Sequence, residues 1–255
     1  MTDAAVIRHL FEARRDGNPV GIPKGQMTTE AALATQLAVL GLFLEAGDGV
    51  AGWKVGFTSG RARDRMGAGF RPFGYLLESR RFGSGGTAAA GSRVDRAIEP
   101  ELALILGEDL AGGDVDERAA RSACRAVAAA FELNEYRVPG GIAGAPDLML
   151  ADGLANWGVV VGETVPVENF RLEGTTAEFS CDGEQVATAT AGADLQMDSP
   201  FLSVSRLCQA LARHGGKLQA GEVIITGAFA ARPVTGPGTW NARFSGVGEV
   251  SFLFG

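Results

Sequence analysis

The residues of this sequence best suited to chemistry are carboxylates. In Ile98-Glu99-Pro100-Glu101-Leu102 two acids stand two positions apart. On a strand that spacing sends both side chains to one face, about 7 Å apart along it, while Ile98, Leu102 and Leu104 take the other. Glu132, between Phe131 and Leu133, repeats the arrangement. Like charges on a half-buried strand repel and are costly to desolvate, so something must compensate them. A hard divalent cation would, and three monodentate carboxylates leave about three octahedral positions on Mg2+ or Mn2+ for water and a chelating substrate. From spacing alone a second reading stands beside this one, in which the acids are solvated or paired with Arg93, Arg96 or Arg137. Lys54, in Trp53-Lys54-Val55-Gly56-Phe57, lies on the strand face opposite Trp53, Val55 and Phe57. It is either a surface lysine at a strand edge or a cation placed to anchor a substrate carboxylate or stabilise an enolate.

Other chemistries have little to build on. His9 and His214 are the two histidines, each on or at the end of a helix, where the residue usually serves as surface or cap. No GxSxG elbow, HExxH pair, GxxxxGK(S/T) loop or GxGxxG fingerprint occurs, and Gly67-Ala68-Gly69 is followed by the wrong spacing for the last. Cys124, Cys181 and Cys208 are an odd number without CxxC spacing, which indicates neither a disulfide framework nor a zinc knuckle and fits a reducing compartment. The 30 acidic against 23 basic residues give a net charge of -7, which argues against a polyanionic partner. The Arg-rich pieces Arg61 to Arg65 and Arg71 to Arg81 are short and broken by Gly and Phe, and read as solvated surface or substrate anchoring rather than a nucleic-acid footprint. The start Met1-Thr2-Asp3-Ala4 lacks the basic and apolar stretches of a signal peptide. The most apolar segment, Ala31 to Ala46, is interrupted by Thr35, Gln36 and Glu45 and is too short to cross a bilayer comfortably. A cytoplasmic protein with no nucleic-acid or membrane partner is expected.

The elements that must position these groups follow from periodicity. Val6, Leu10, Phe11 and Ala13 line one helix, and Leu33, Leu37, Leu40 and Leu44 a second, capped by Thr28 or Thr29 and ended by Gly47. Residues 1–50 thus read as a helical N-terminal subdomain, and residues 51–255 as a strand-rich domain carrying the candidate site. Strands are predicted at Trp53 to Phe57, Ile98 to Leu106, Phe131 to Asn134, Val159 to Val161, Val223 to Thr226 and Val250 to Phe254, and in a hairpin about Asp182-Gly183. Glu117 to Ala129 is predicted helical, Gly83 to Ser92 a mobile loop, and Ser199-Pro200 the start of a helix ended by Gly215-Gly216. With hairpins and no regular strand–helix alternation, the class is α+β.

The segments Gly52 to Ser59, Glu99-Pro100-Glu101, Ala130-Phe131-Glu132-Leu133 and Ile224-Ile225-Thr226-Gly227, with Gln36 in the second helix, occur in the order seen in the 2-keto-4-pentenoate hydratase family. The chain resembles that group, within the fumarylacetoacetate hydrolase superfamily, over nearly its whole length. The resemblance implies a mixed β-roll, Glu99, Glu101 and Glu132 as Mg2+ ligands (Mn2+ being possible), Lys54 as the active-site lysine, and a homo-oligomer. It implies a 2-oxo or 2-hydroxydienoic acid from aromatic-compound breakdown as substrate, tautomerised and then hydrated. Proton transfers would fall to metal-bound water, Lys54 or Asp152, and Thr58, Phe73 and Thr226 would wall the pocket.

Two segments depart from the family pattern. Ala151-Asp152-Gly153-Leu154-Ala155 replaces an Ala-Asp-Asn-Ala-Ser stretch, and Asn134-Glu135-Tyr136-Arg137 replaces an Asp-Ser-Arg run at the distal end of the pocket. Decarboxylation of a 4-oxalocrotonate-type diacid is therefore an alternative to hydration. A non-catalytic role stabilising a paralogous pathway enzyme is a further one. A carbon–carbon hydrolase is disfavoured, because the superfamily's hydrolases generally employ a Glu-His pair.

Overall fold

A computed structural model describes residues 3–21 and 27–255; Met1 and Thr2 lie outside them. Two helices come first, α1 (Ala4–Asp16) and α2 (Thr29–Glu45), each begun by a side-chain oxygen, Asp3 accepting from the Ala5 N–H and Thr28 from the Ala31 N–H. The second buries Ala32, Leu33, Gln36, Val39, Leu40 and Phe43, whereas Leu44, expected on that face, is exposed. Gln36 ties this helix to the body by donating to the carbonyls of Phe73 (2.9 Å) and Leu150 (2.6 Å). Both helices share one buried cluster with the strands, through Leu10, Phe11 and Phe43 against Tyr75.

The rest of the chain runs β1 (Val50–Val55), β2 (Phe73–Leu77), β3 (Arg81–Gly83), β4 (Gly86–Ala88), β5 (Arg96–Leu106), α3 (Glu117–Ala123) and β6 (Cys124–Glu135). Then come α4 (Gly141–Gly144), α5 (Pro146–Ala151), β7 (Asn156–Pro166), β8 (Thr176–Cys181), β9 (Glu184–Thr190) and α6 (Pro200–Ala212). Last are β10 (Val223–Ala228), β11 (Arg232–Val234), β12 (Gly238–Phe244) and β13 (Gly248–Phe254). One sheet has the order β2-β1-β10-β5-β6-β7-β3, with β11 also on β5, and the other β4-β13-β12-β8-β9. The pairs β1/β10, β3/β7 and β4/β13 are parallel and the remainder antiparallel, so both sheets are mixed. This is the expected α+β architecture. Among the described residues no helix is long and apolar enough to cross a membrane.

The helix expected over Glu117 to Ala129 stops at Ala123, and the alanine-rich run from Cys124 belongs to β6. Alanine favours helix, but this segment pairs with β5 on one side and β7 on the other, and its small side chains are buried on both faces. The stretch expected to be a mobile loop, Gly83 to Ser92, contains β4, which pairs with the last strand. Ser199 does not cap α6; its hydroxyl bonds to Glu117 instead. The Asp182-Gly183 hairpin forms as expected, with φ of 49° and 83° at the two turn residues.

Candidate active site

The long pair β5/β6 sets the centre of the site. Its register places Glu99 directly across from Glu132, and Glu101 two residues along β5 across from Ala130, so all three carboxylates emerge from one face. Beneath them the same face continues as a floor of Ala103, Ile105, Ala126, Ala130, Val223 and Ile225. The other face buries Ile98, Leu102, Phe131 and Leu133. The trio's ligand oxygens lie within 4.8 Å of one another.

Lys54 reaches the trio from β1, where it is in register with Ile225 of β10 and Gly74 of β2. Its ammonium lies 2.6 Å from Glu132 Oε1 and donates to the Leu154 carbonyl at 3.1 Å. Gly74 is required beside it, since a Cβ there would meet the Gly153 carbonyl at 2.7 Å and the Lys54 stem at 3.0 Å. The Leu154 carbonyl is presented by a left-handed run, with φ of 75°, 57° and 62° at Gly153, Leu154 and Ala155. Two non-glycine residues in that region cost on the order of 1–3 kcal/mol each.

Further groups hold the acids in place. The Asn156 side-chain amide donates to Glu132 Oε1 at 2.9 Å, and the Gly227 N–H to Glu101 Oε2 at 2.7 Å. Gly227 has φ of 140°, and a Cβ there would lie 2.3 Å from Thr58 Oγ1, so the approach needs glycine. Thr58 donates to the Thr226 carbonyl at 2.7 Å, which fixes the strand end that offers this N–H.

The arginines that might have neutralised the acids are engaged elsewhere. Arg96 pairs with Glu135 at 2.6 Å, Arg137 with Glu135 and Asp152 at 2.9 and 3.0 Å, and Arg93 donates to Asn18. Among the described residues, Lys54 is the one cation in ion-pair contact with the trio. Burial, then Glu132, push the Glu99 carboxyl up to about 7, with Lys54 and Asn134 opposing. Burial and both neighbouring glutamates push Glu101 well above the usual carboxylate range, with the Gly227 N–H opposing. Burial works against the Lys54 ammonium, but Glu132 and Glu99 outweigh it and raise its pKa. Three crowded hard oxygen donors, two of them reluctant to ionise without help, fit a divalent cation.

That arrangement links metal binding to pH. The folded pKa of Glu99, about 7 against an ordinary 4.5, means that the stability of its neutral form is fully present below about 4.5 and is lost as pH rises through about 7. For this one group the loss amounts to about 3 kcal/mol. Metal-free protein should therefore lose stability over that window, while a bound divalent cation stabilises the ionised form. The rise in Tm on adding Mg2+ should be larger at about pH 8 than at about pH 5. Thermal melts with and without Mg2+ at the two pH values check this, and equal increments would remove the trio from the role of ligand.

The carboxylates and Lys54 line one end of a cavity of about 610 Å3. Thr58 lines it too, as expected, along with Asn134 and Tyr136 from the altered segment after Glu132. Three expected site residues lie elsewhere. Phe73 is buried edge-on against Trp53 in the core. Thr226 is buried on the face away from Lys54 and contributes its carbonyl to Thr58 rather than a side chain to the cavity wall. Asp152 is buried, clasped by Arg137 Nε at 3.1 Å from both carboxylate oxygens, and is not placed to exchange protons with a ligand. His9 and His214 also stand outside the cavity. Asn156, Gly227 and the Leu154 carbonyl escape a reading of the sequence; the one signal was Gly227 at the end of the Ile224 to Gly227 motif.

No family model matches the chain. It is similar over nearly its whole length to several enzymes. The 4-oxalocrotonate decarboxylase of a Pseudomonas species is 29% identical, covering 99% of this chain and 98% of the relative. The TodF product hydratase of Pseudomonas putida is 27% identical, with 96% and 92% covered. The 2-keto-4-pentenoate hydratase 2 of Dechloromonas aromatica is 26% identical, with 100% and 98% covered. Among solved structures, 4-oxalocrotonate decarboxylase from Pseudomonas putida, complexed with magnesium and adipate, has a TM-score of 0.88 at 24% identity, covering 98% of this chain and 96% of that one. Fumarylpyruvate hydrolase from Pseudomonas aeruginosa, in complex with Mn2+ and pyruvate, has a TM-score of 0.57 at 17% identity, with 79% and 88% covered. End to end, the sequence is similar to enzymes named 2-keto-4-pentenoate hydratase and 4-oxalocrotonate decarboxylase, and the fold is that of the solved 4-oxalocrotonate decarboxylase.

Proposed function

We propose that the protein is a Mg2+-dependent lyase that adds water to a 2-hydroxy-2,4-dienoate, through its 2-oxo-enoate tautomer, to give a 4-hydroxy-2-oxo acid in the breakdown of aromatic compounds. The observation that carries this reading is the crowded trio of Glu99, Glu101 and Glu132 beside Lys54 at the closed end of an otherwise mostly apolar cavity. Relatives named 2-keto-4-pentenoate hydratase and 2-hydroxyhexa-2,4-dienoate hydratase support it. Glu99, Glu101 and Glu132 would hold the cation, which when bound acts as a Lewis acid towards the 2-oxo acid head.

The chain's own groups account for the rest. Two of the three Lys54 N–H donors are taken by Glu132 and the Leu154 carbonyl, which leaves one for a substrate oxygen at the cavity end. Burial, then Glu99 and Glu132, push the Tyr136 phenol up, so it stays protonated and offers an O–H to the cavity. Phe57, Ile142, Met149, Leu154 and Phe229 keep bulk water from the middle of the substrate. Decarboxylation of a 2-oxo-3-enedioate is the second reading, favoured by the relative of that name at 29% identity. Self-association and a cytoplasmic setting belong to the same proposal.

Incubation with Mg2+ and either 2-hydroxypenta-2,4-dienoate or 4-oxalocrotonate, followed by ultraviolet absorbance and CO2 release, separates the two. Loss of the dienoate chromophore without CO2, abolished by EDTA, is the expected result. Absence of turnover with both substrates would sink both readings.

A further inference from the structure

The three glutamates and Lys54 that line the cavity are buried or half-buried, whereas two arginines that line it too are exposed and so stand at its mouth. Arg61 and Arg65 come from the turn that follows β1 and both line the cavity. This turn is fixed to the body at its base. Asp198 N–H donates to the Thr58 carbonyl at 2.8 Å, Gly60 N–H to Gln196 O at 2.9 Å, and Ser59 Oγ to Ala228 O at 2.9 Å. The neighbouring arginines are consumed in that anchoring. Arg63 and Arg71 bond to the buried Asp198 at 2.7 and 2.6 Å, with Arg206 joining at 3.0 Å, and Arg71 also bonds to Asp64 at 2.7 Å.

Arg61 and Arg65 have no ion-pair partner among the described residues, and the acids lining the cavity are the three glutamates at its other end. Two unpaired guanidiniums on a tethered turn, across an apolar span from a 2-oxo acid site, are complementary to a ligand that is anionic at both ends.

The geometry points to Arg61 and Arg65 as the specificity-determining residues of this enzyme, which bind a second, distal carboxylate where the substrate carries one and so favour dicarboxylic 2-oxo acids over the monocarboxylic ones that the site also takes. The inference rests on the reading of the glutamate end as the 2-oxo acid site. It applies equally to hydration and to decarboxylation, because both start from the same bound head group. The two arginines act by charge-assisted, potentially bidentate hydrogen bonds to the distal carboxylate, while Phe57, Leu154 and Phe229 pack against the carbon chain between.

Two ligands of equal length, 2-oxoadipate and 2-oxohexanoate, differ at the distal carboxylate alone. Calorimetric titration of both into the Mg2+-loaded enzyme, wild type and Arg61→Gln/Arg65→Gln, isolates the effect of that group. Wild-type enzyme should bind 2-oxoadipate about ten- to a hundredfold more tightly, and the double variant should lose that margin while keeping its affinity for 2-oxohexanoate. Retained 2-oxohexanoate binding also shows that the variant is folded. Equal affinities in the wild type, an undiminished preference in the double variant, or parallel loss of both ligands would overturn the assignment. If 2-oxohexanoate still binds with Mg2+ in the wild type, the failure lies with the arginines alone. If neither 2-oxo acid binds the wild type, the reading of the glutamate end fails with it.

Discussion

Replacing Glu101 by Gln should raise the melting temperature of the metal-free protein by several degrees and lower turnover by at least about a thousandfold. The two effects have one cause. Glu101 is buried over Ala103, Ala130 and Ile225 and faces Glu99 and Glu132, so its charge is costly without a cation. The amide keeps the shape and can still accept the Gly227 N–H that Glu101 Oε2 accepts at 2.7 Å. It removes, at little structural cost, a carboxyl that is ionised in the unfolded chain but held neutral in the metal-free fold, and with it a hard anionic ligand for a cation. Thermal melts with and without Mg2+ should show a higher starting Tm and a lost Mg2+-induced rise. Glu132→Gln should behave differently, because Glu132 is the ion-pair partner of Lys54 at 2.6 Å and accepts from Asn156, so its removal strips a buried ammonium of its nearest counter-charge. A lower metal-free Tm in Glu101→Gln, or turnover close to wild type, would mean that the trio is not strained towards a cation. This trade of stability for function is expected where like charges are held together for a ligand that arrives later.

Much of the site was legible because period-2 alternation reports which residues share a strand face. It placed Glu99, Glu101 and Lys54 away from the core before any partner strand was known. Alternation does not report register, and register turned a shared face into a constellation by setting Glu99 across from Glu132 and Lys54 beside Gly74 and Ile225. The misplaced residues fail for the same reason. Phe73 pairs with Val55, one step from the Gly74 that faces Lys54, and Thr226 is one step beyond Ile225. A one-residue offset in a strand moves a side chain to the opposite face. The resemblance implies ligand roles that the residues alone leave open, since solvated or arginine-paired acids would show the same pattern.

Other features were hidden for distinct physical reasons. The Ala126 to Ala130 run has helical propensity, and what overrides it is the need of β5 and β7 for a strand between them, a fact outside the local sequence. Gly153 and Ala155 stand where the family pattern carries Asn and Ser, an amide and a hydroxyl that could meet a ligand. The chain instead turns left-handed there, which aims the Leu154 carbonyl at Lys54, while Asn156 sends its amide to Glu132. A backbone carbonyl carries no signature in residue type, so no reading of side chains could have found it.

Replacing Arg137 by Leu should destabilise the fold by about 3–5 kcal/mol, the cost of leaving buried carboxylates without their partner. Arg137 is almost fully buried and its fork spans the gap between strand and helix end. Nη1 donates to Glu135 at 2.9 Å, Nε to both Asp152 oxygens at 3.1 Å, and Nη2 to the Asn156 carbonyl at 3.2 Å. Glu135 retains Arg96 after the substitution, but Asp152 loses its side-chain partner, because Arg14 bonds to the Asp152 backbone carbonyl. For a chain of this length the loss should lower Tm by roughly 10 °C. Lysine should restore part of it, since one ammonium cannot reproduce the planar fork that serves two carboxylates and a carbonyl. The same network reaches the active site, for Arg137 holds the Asn156 backbone whose side chain donates to Glu132. Mg2+ affinity should therefore fall about ten- to a hundredfold in a variant that still folds at low temperature. Asp152→Asn should share the stability loss but retain more of the Mg2+ affinity, since its amide can still accept from Arg137. If Asp152 instead served as a proton-transfer group, Asp152→Asn would lose turnover at unchanged Tm, and denaturation measured alongside steady-state kinetics distinguishes the two.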